Sequence, residues 1–219
     1  MSVKVIILAG GRGTRLAEET SLIPKPMVEI GGKPILWHIM KIFAMQGHQD
    51  FIIATGYLHS KIEHWARNLN NSWQISTLFT GAETQTGGRL KRCMDEFPAD
   101  RYFATYGDGL GNINLSSLLK FHSSKKRLAT VTAVRPPARF GVIEIELGVV
   151  THFGEKRQAD SGWINGGFFV LESQVASLIS GDSDLFETGA LPHLAQVDQL
   201  AGYQHEGFWH PMDTLREKL

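Results

Sequence analysis

Cysteine is nearly absent: the chain has one, Cys93, among 219 residues. No disulfide can form within the chain, which fits a reducing compartment. An excess of one charge is missing too, because 22 Lys and Arg balance 22 Asp and Glu. A sequence-independent nucleic-acid binder carries a basic excess, so nucleic acid is not an expected partner. No apolar run approaches the ~18 residues of a membrane span. The segment Met1-Ser2-Val3-Lys4-Val5-Ile6-Ile7-Leu8 is too short for a signal peptide and runs straight into glycines. The expectation is a soluble, cytoplasmic protein without a membrane partner. Low-complexity tracts, long linkers and internal repeats are also lacking. The nine histidines include no H-x-x-x-H pair and no Cys–His set, so a zinc site is not expected.

What is present suits a globular α/β chain. Hydrophobic residues make up 42% and charged residues 20%, enough for a core and too few charges for disorder. Val3 to Leu8 is a continuous apolar run, as in a strand covered on both faces. Ile35 to Phe43 has helical spacing, with Pro34 before it and Gly47 after it. Phe51–Thr55, Gln74–Phe79, Tyr102–Tyr106 and Leu128–Val134 are further strand candidates. Ser60-Lys61-Ile62-Glu63 reads as a capping box, and Leu115–Phe121 as a helix capped by Asn114. This alternation predicts right-handed crossovers and a parallel sheet. Beyond it, Gly141–Glu146 alternates apolar and polar residues, Leu147-Gly148 turns, and Val149–Phe153 returns as a hairpin. Trp163–Leu171 is one more strand, and Ser173–Ile179 a short helix. The predicted fold is a Rossmann-like, doubly wound, mostly parallel sheet with an added hairpin. It is one domain, residues 1–219, with a doubly wound half at 1–135 and a half with added mixed strands at 136–219.

Ligands in open α/β sheets bind at the carboxyl ends of strands, so motifs that follow strands carry the argument. Gly10-Gly11-Arg12-Gly13-Thr14-Arg15 follows the first one. Glycines let successive N–H groups approach anionic oxygens, and arginines add phosphate-binding forks. The segment is not a P-loop, which needs G-x-x-x-x-G-K-[ST]. It is not a dinucleotide fingerprint either, because Leu16 stands where G-x-G-x-x-G needs its third glycine. A plain tight turn is the alternative. Lys25, fixed between Pro24 and Pro26, suits a pre-positioned charge for phosphate; an ordinary surface lysine is its alternative. Asp108, between Gly107 and Gly109 after a strand, suits a metal, although Asp-Gly also makes turns.

These residues resemble a known family. Leu8-Ala9-Gly10-Gly11-Arg12-Gly13-Thr14-Arg15-Leu16, followed by Pro24-Lys25-Pro26-Met27-Val28-Glu29-Ile30-Gly31-Gly32-Lys33-Pro34-Ile35-Leu36, resembles the two-part signature of sugar-1-phosphate nucleotidyltransferases. Thr86–Arg92, Thr105–Gly109, Ala129–Val134, Arg139–Gly141, Trp163–Val170 and Gly207–Thr214 narrow the likeness to the glucose-1-phosphate cytidylyltransferase branch. The likeness covers nearly the whole chain. Members of that branch have a longer stretch where residues 68–77 stand, continue past the position of Leu219, and carry Glu-Lys-Pro where this chain has Glu155-Lys156-Arg157. A homo-oligomer is compatible with the resemblance.

The resemblance implies transfer of a nucleoside monophosphate, from CTP first of all, to a sugar 1-phosphate, glucose 1-phosphate first of all, with release of pyrophosphate. Arg15 and Lys25 match catalytic cations. Leu8, Ala9, Gly10, Gly11, Arg12, Gly13, Thr14, Gly87, Gly88 and Thr105 match nucleotide-binding positions. Gly141, Glu155, Lys156, Asn165 and Gly166 fall on the sugar-phosphate side, so the resemblance implies a nucleotide-binding half at 1–135 and a sugar-phosphate-binding half at 136–219. Asp108 and Asp213 match carboxylates for Mg2+. Taken alone, Asp213 could be a helix N-cap, Glu155-Lys156 a solvated pair, and Asn165–Gly167 a β-bulge. Other bases (dTTP, UTP or GTP), other sugars, or a non-catalytic sugar-nucleotide sensor remain open.

Overall fold

The computed structural model describes residues 2–13, 22–70, 72–136, 141–146, 148–155 and 162–212. Strand β1 (Val3–Leu8) sends Val5 and Ile7 into one apolar cluster and Ile6 into a second. It is therefore covered on both faces, as its unbroken apolar run requires. A short 3₁₀ turn at Lys25–Met27 and a two-stranded ribbon, β2 (Glu29–Ile30) and β3 (Lys33–Pro34), lead into helix α1 (Ile35–Ala44). Ile35, Leu36, Ile39, Met40 and Phe43 give α1 a buried stripe at helical spacing. Then come β4 (Asp50–Thr55), α2 (His59–Arg67), β5 (Gln74–Phe79) and α3 (Thr86–Glu96). Next are β6 (Arg101–Tyr106), β7 (Gly109–Gly111), α4 (Leu115–Lys125) and β8 (Ala129–Val134). The chain continues through the hairpin β9 (Gly141–Glu146) and β10 (Val149–Glu155), then β11 (Ile164–Glu172) and a 3₁₀ helix at Ser173–Leu178. Helix α5 (Ala190–Gln196), β12 (Leu200–His205) and β13 (Trp209–Pro211) follow.

The main sheet runs β12-β8-β11-β6-β1-β4-β5. Its pairings β1–β4, β1–β6, β4–β5 and β8–β12 are parallel. Strand β11 lies antiparallel between β6 and β8. The sheet is thus mostly parallel, as expected, with one reversed strand inside it. The chain steps from β1 outward to β4 and β5, then returns to β6 on the other side of β1. Strand order therefore reverses between β1 and β6, and their paired ends, Leu8 and Tyr106, open one crevice.

Helices cover both faces. Residues of α1, α2 and α4 join the first cluster; residues of α3, α5 and the 3₁₀ helix at Ser173–Leu178 join the second. The expectation of uniformly right-handed crossovers needs one correction. The step from β6 to β8 runs away from β1 in the direction opposite to β1-α1-β4. It nevertheless puts α4 on the same face as α1, so the two crossovers have opposite hands. That step passes over β11 and is an exception to the general right-handedness of crossovers between parallel strands of one sheet.

The Asn114 carboxamide accepts from Ser117 N–H at 2.8 Å, the cap read from sequence. The Ser60 capping box does not form. Helix α2 starts at His59, Leu58 caps it in a left-handed conformation, and Glu63 pairs forward with Arg67. Cys93 is fully buried, and burial pushes its thiol up to about 12. No helix among the described residues is long and apolar enough to cross a membrane.

A buried polar group ties α4 to the sheet. His122 meets Thr130 at 2.8 Å through Nδ1 and Glu172 at 2.9 Å through Nε2; Arg101 also donates to Glu172, at 2.6 Å. Burial lowers the His122 pKa below its ordinary 6.5. Burial alone would raise the Glu172 carboxyl, but hydrogen bonds from Arg101 and His122 outweigh it and hold it below its usual value. Below about pH 6.5 the unfolded chain therefore protonates His122 more readily than the fold does. Below the ordinary carboxylate range the same holds for Glu172, so both groups make stability fall with acidification. We expect urea-unfolding stability to decline from about pH 7 to about pH 4, with His48, also lowered by burial, adding to the upper part. His122→Gln should flatten the upper part of that slope; an unchanged slope removes His122 from the account. Asn114→Ala should lower unfolding stability by about 1 kcal/mol in the same measurement.

Candidate active site

The crevice at the β1/β6 ends is a cleft of about 570 Å³. Leu8, Ala9, Gly10, Gly11 and Gly13 line it from β1. Thr105, Tyr106, Gly107, Asp108 and Gly109 line it from β6, and Asn165 to Gly167 from β11. Three segments far apart in sequence thus meet because their strands are neighbours. On one side stand Thr84, Gln85, Thr86 and Arg89, near the β5 end; on the other, the β11 residues and Trp209.

Lys25 and Asp108 meet in this cleft. Lys25 Nζ lies 2.6 Å from Asp108 Oδ2, with the lysine side chain only 10% exposed. The segment that carries Lys25 is seated by Gly107. A Cβ at Gly107 would stand 2.8 Å from the Pro26 ring and 2.9 Å from the Leu8 carbonyl, so only glycine allows this approach. Asp108 is held through its backbone as well, since its carbonyl accepts from Met212 N–H at 2.8 Å.

The glycine loop divides its tasks. Gly10 is buried against Arg89, and a Cβ there would fall 2.2 Å from the guanidinium. Gly11 has no atom within 4 Å of such a Cβ and is open to the cleft. Gly13 has φ +64, a left-handed backbone that suits glycine. Arg12 pairs with Glu83 and lies 5.7 Å from the Tyr57 ring centroid. It belongs to the exposed outer edge and is not among the lining residues. Its guanidinium is raised in pKa by the hydrogen bond and charge of Glu83.

Among the lining residues that reading from sequence gave no role, Arg89 is the buried charge. It is 4% exposed and donates to the Thr55, Gly81 and Gly10 carbonyls at 3.0, 2.8 and 3.1 Å, and to Thr80 Oγ1 at 2.6 Å. Burial lowers its pKa. No spacing in the sequence marks it; the signal is a charged residue on the buried stripe of α3, between Gly88 and Leu90.

Thr105 is buried and lines the cleft. Gly87 and Gly88, which match nucleotide-binding positions, are placed in packing contacts behind the cleft. A Cβ on Gly87 would meet the Asp184 carbonyl at 2.7 Å, and one on Gly88 the Asp182 Cα at 2.7 Å. They let α3 pack on the 181–184 loop, and neither lines the cleft. Gly166 and Asn165 sit where β11 loses register with β8 between Asn165 and Phe169. The bulge reading is therefore correct, and it points this segment at the cleft. Gly166 accepts from Trp209 Nε1 at 2.7 Å. Gly141 and Glu155 are opposite each other in the backbone register of the β9–β10 hairpin. Thr14, Arg15, Lys156 and Asp213 lie outside the described residues.

Asp108 offers hard oxygen donors without a bulky neighbour, and the cleft leaves room for phosphates beside it. Among the described residues no cluster of three or more His, Cys, Asp or Glu could hold a metal unaided. That donor set fits Mg2+, which binds through one or two carboxylates and completes its shell with substrate phosphates and water.

Comparison with known proteins agrees with this geometry. The chain is 44% identical to glucose-1-phosphate cytidylyltransferase of Salmonella typhi, over 99% of this chain and 93% of that protein. It is 41% identical to the probable glucose-1-phosphate cytidylyltransferase of Bacillus subtilis, over 99% and 94%. The Salmonella alignment spans 240 positions, more than the 219 residues here, so that relative carries residues without a counterpart in this chain. Among solved structures, HddC from Yersinia pseudotuberculosis complexed with GMP-PN superposes with a TM-score of 0.77 at 25% identity, covering 100% of this chain and 96% of that one. The profile of the Nucleotidyl transferase family matches residues 4–214, and the chain belongs to that family.

Proposed function

We propose that this enzyme transfers CMP from CTP to glucose 1-phosphate, giving CDP-glucose and pyrophosphate, in the cytoplasm. The observation that carries this reading is the Lys25–Asp108 pair, set beside the open glycine turn at the point where strand order reverses. Relatives at 44% and 41% identity that bear the cytidylyltransferase name supply the choice of base and sugar.

In the proposed reaction a phosphate oxygen of the sugar substrate attacks the α-phosphorus of CTP. The new P–O bond forms as the bond from the α-phosphorus to the bridging oxygen breaks, and pyrophosphate leaves with the electron pair. No protein nucleophile is needed, so the work is positioning and charge stabilisation. Leu8, Ala9 and the N–H groups of Gly10 to Gly13 hold the nucleotide, with Thr14 and Arg15 continuing the loop. Arg15 and Lys25 offset charge on the triphosphate as pyrophosphate separates. Asp108 and Asp213 would hold Mg2+, which when bound orients the phosphates and offsets their charge. Lys25 then turns from Asp108 to phosphate oxygens. Asn165 and Gly166 face the sugar, with Glu155, Lys156 and Gly141 on the same side. Thr105 lines the cleft beside the nucleotide, and Gly87 and Gly88 act at one remove, by shaping the nucleotide wall. The two halves of the chain divide the substrates at the crevice.

Pyrophosphate release with magnesium, CTP and glucose 1-phosphate is the direct test. Release is expected, and none with CTP, dTTP, UTP or GTP and a panel of sugar 1-phosphates would sink the enzyme reading. Asp108→Asn should lower turnover on the order of a hundredfold or more while leaving the fold intact. Full turnover in that variant would remove Asp108 from the site.

A further inference from the structure

A chain of hydrogen bonds crosses the cleft wall and brings in Glu187, Tyr106 and Thr86, which have no role in the scheme above. Glu187 accepts from Tyr106 Oη at 2.5 Å through Oε1 and from Thr86 Oγ1 at 2.5 Å through Oε2. Tyr106 Oη accepts from Asn165 Nδ2 at 3.3 Å, and Asn165 Oδ1 accepts from Gly167 N–H at 2.8 Å. Thr86, Tyr106 and Asn165 all line the cleft, Thr86 on the Arg89 side and Asn165 on the β11 side.

The donors and acceptors leave little freedom. A carboxylate only accepts, so Glu187 draws the single hydroxyl proton of Tyr106 and that of Thr86. The Thr86 oxygen then accepts from Phe186 N–H at 3.0 Å, and the Tyr106 oxygen has only lone pairs left for Asn165. The Asn165 amide must therefore turn its NH2 to Tyr106 and its oxygen to Gly167. A free carboxamide would flip between both orientations. Gly167 adds a geometric lock: its φ is +78, and a Cβ there would meet the Tyr106 ring at 2.5 Å. Burial first, and the Glu187 charge second, push the Tyr106 phenol well above its ordinary value, so it keeps its proton to donate.

We propose that Glu187 and Tyr106 are positioning residues: together with the Gly167 N–H they hold the Asn165 amide in one orientation and place, and so set which sugar hydroxyls the β11 side of the cleft can recognise. The same carboxylate, through Thr86, ties that wall to the nucleotide wall. This inference rests on the proposed transferase activity, because Asn165 is taken to face the sugar.

The test is steady-state kinetics with melting temperatures on wild type, Tyr106→Phe and Glu187→Ala. Tyr106→Phe keeps the ring and removes the oxygen. It should raise KM for glucose 1-phosphate about tenfold and leave KM for CTP within about twofold, with an unchanged melting temperature. Glu187→Ala should raise KM for both substrates, since Thr86 loses its acceptor too, and Glu187→Gln, with one acceptor oxygen left, should fall between. The inference is overturned if Tyr106→Phe leaves the sugar KM within about twofold, if it raises both KM values equally with a lowered melting temperature, or if its loss lies in kcat alone. A wild type without turnover on any substrate pair overturns the transferase reading and this inference with it. Wild-type turnover with an unmoved sugar KM overturns the inference alone.

Discussion

One side of the cleft, built from the ends of β1, β4 and β5, depends on one buried guanidinium. Arg89 takes a full charge to 4% exposure, and the partners it finds among the described residues are neutral oxygens. Taking an ion out of water costs several kcal/mol, so the site must return most of that in hydrogen bonds. It does so by collecting carbonyls from the end of β1 (Gly10), the end of β4 (Thr55) and the turn after β5 (Gly81). Three strand ends are thereby held at fixed spacing. The same residue explains two glycines. A Cβ at Gly10 or Gly56 would lie 2.2 or 2.5 Å from its Nη1. The doublet Gly10-Gly11 is thus half packing and half access: one glycine admits Arg89, the next opens to the cleft.

How legible the site was follows from how far each signal travels along the chain. Strand β1, helix α1, strands β4, β5, β6 and β8 and the hairpin could be read because their apolar periodicity is local and strong. Lys25 and Asp108 stood out because one sits in a proline-stiffened segment and the other between glycines just after a strand. Helix α3 could not be read, since Thr86-Gly87-Gly88 has the composition of a loop. What makes it helical is tertiary: those glycines let it press against the Asp182–Asp184 backbone. The Ser60 box failed for a related reason. Leu58 adopts φ +52 and starts the helix earlier, so Ser60 already lies inside it. The hand of the β6-to-β8 crossover was illegible because periodicity within α4 does not say on which face of the sheet it packs.

The placement of the cleft needs no special feature of this sequence. Once the chain builds β4 and β5 on one side of β1 and β6 on the other, a crevice must open between the paired ends Leu8 and Tyr106. What the sequence adds is a division of labour along that crevice. The β1, β4 and β5 ends, tied by Arg89, make a rigid wall rich in backbone groups. The β11 bulge makes a wall of side-chain amide and glycine. Between them stands the Lys25–Asp108 pair.

The two walls are not independent. Glu187 lies in neither, yet its two oxygens reach Thr86 on one side and, through Tyr106, Asn165 on the other. Each hydrogen bond in this chain fixes the proton of the next, so a change at one end alters which groups are free at the other. A cleft for two anions must bring them together in line, and an angular error in either wall would be felt at the reacting atoms. A shared carboxylate behind both walls gives them a common reference. Backbone packing alone would set each wall separately, because β11 and the β5 turn are separated by three strands of the sheet.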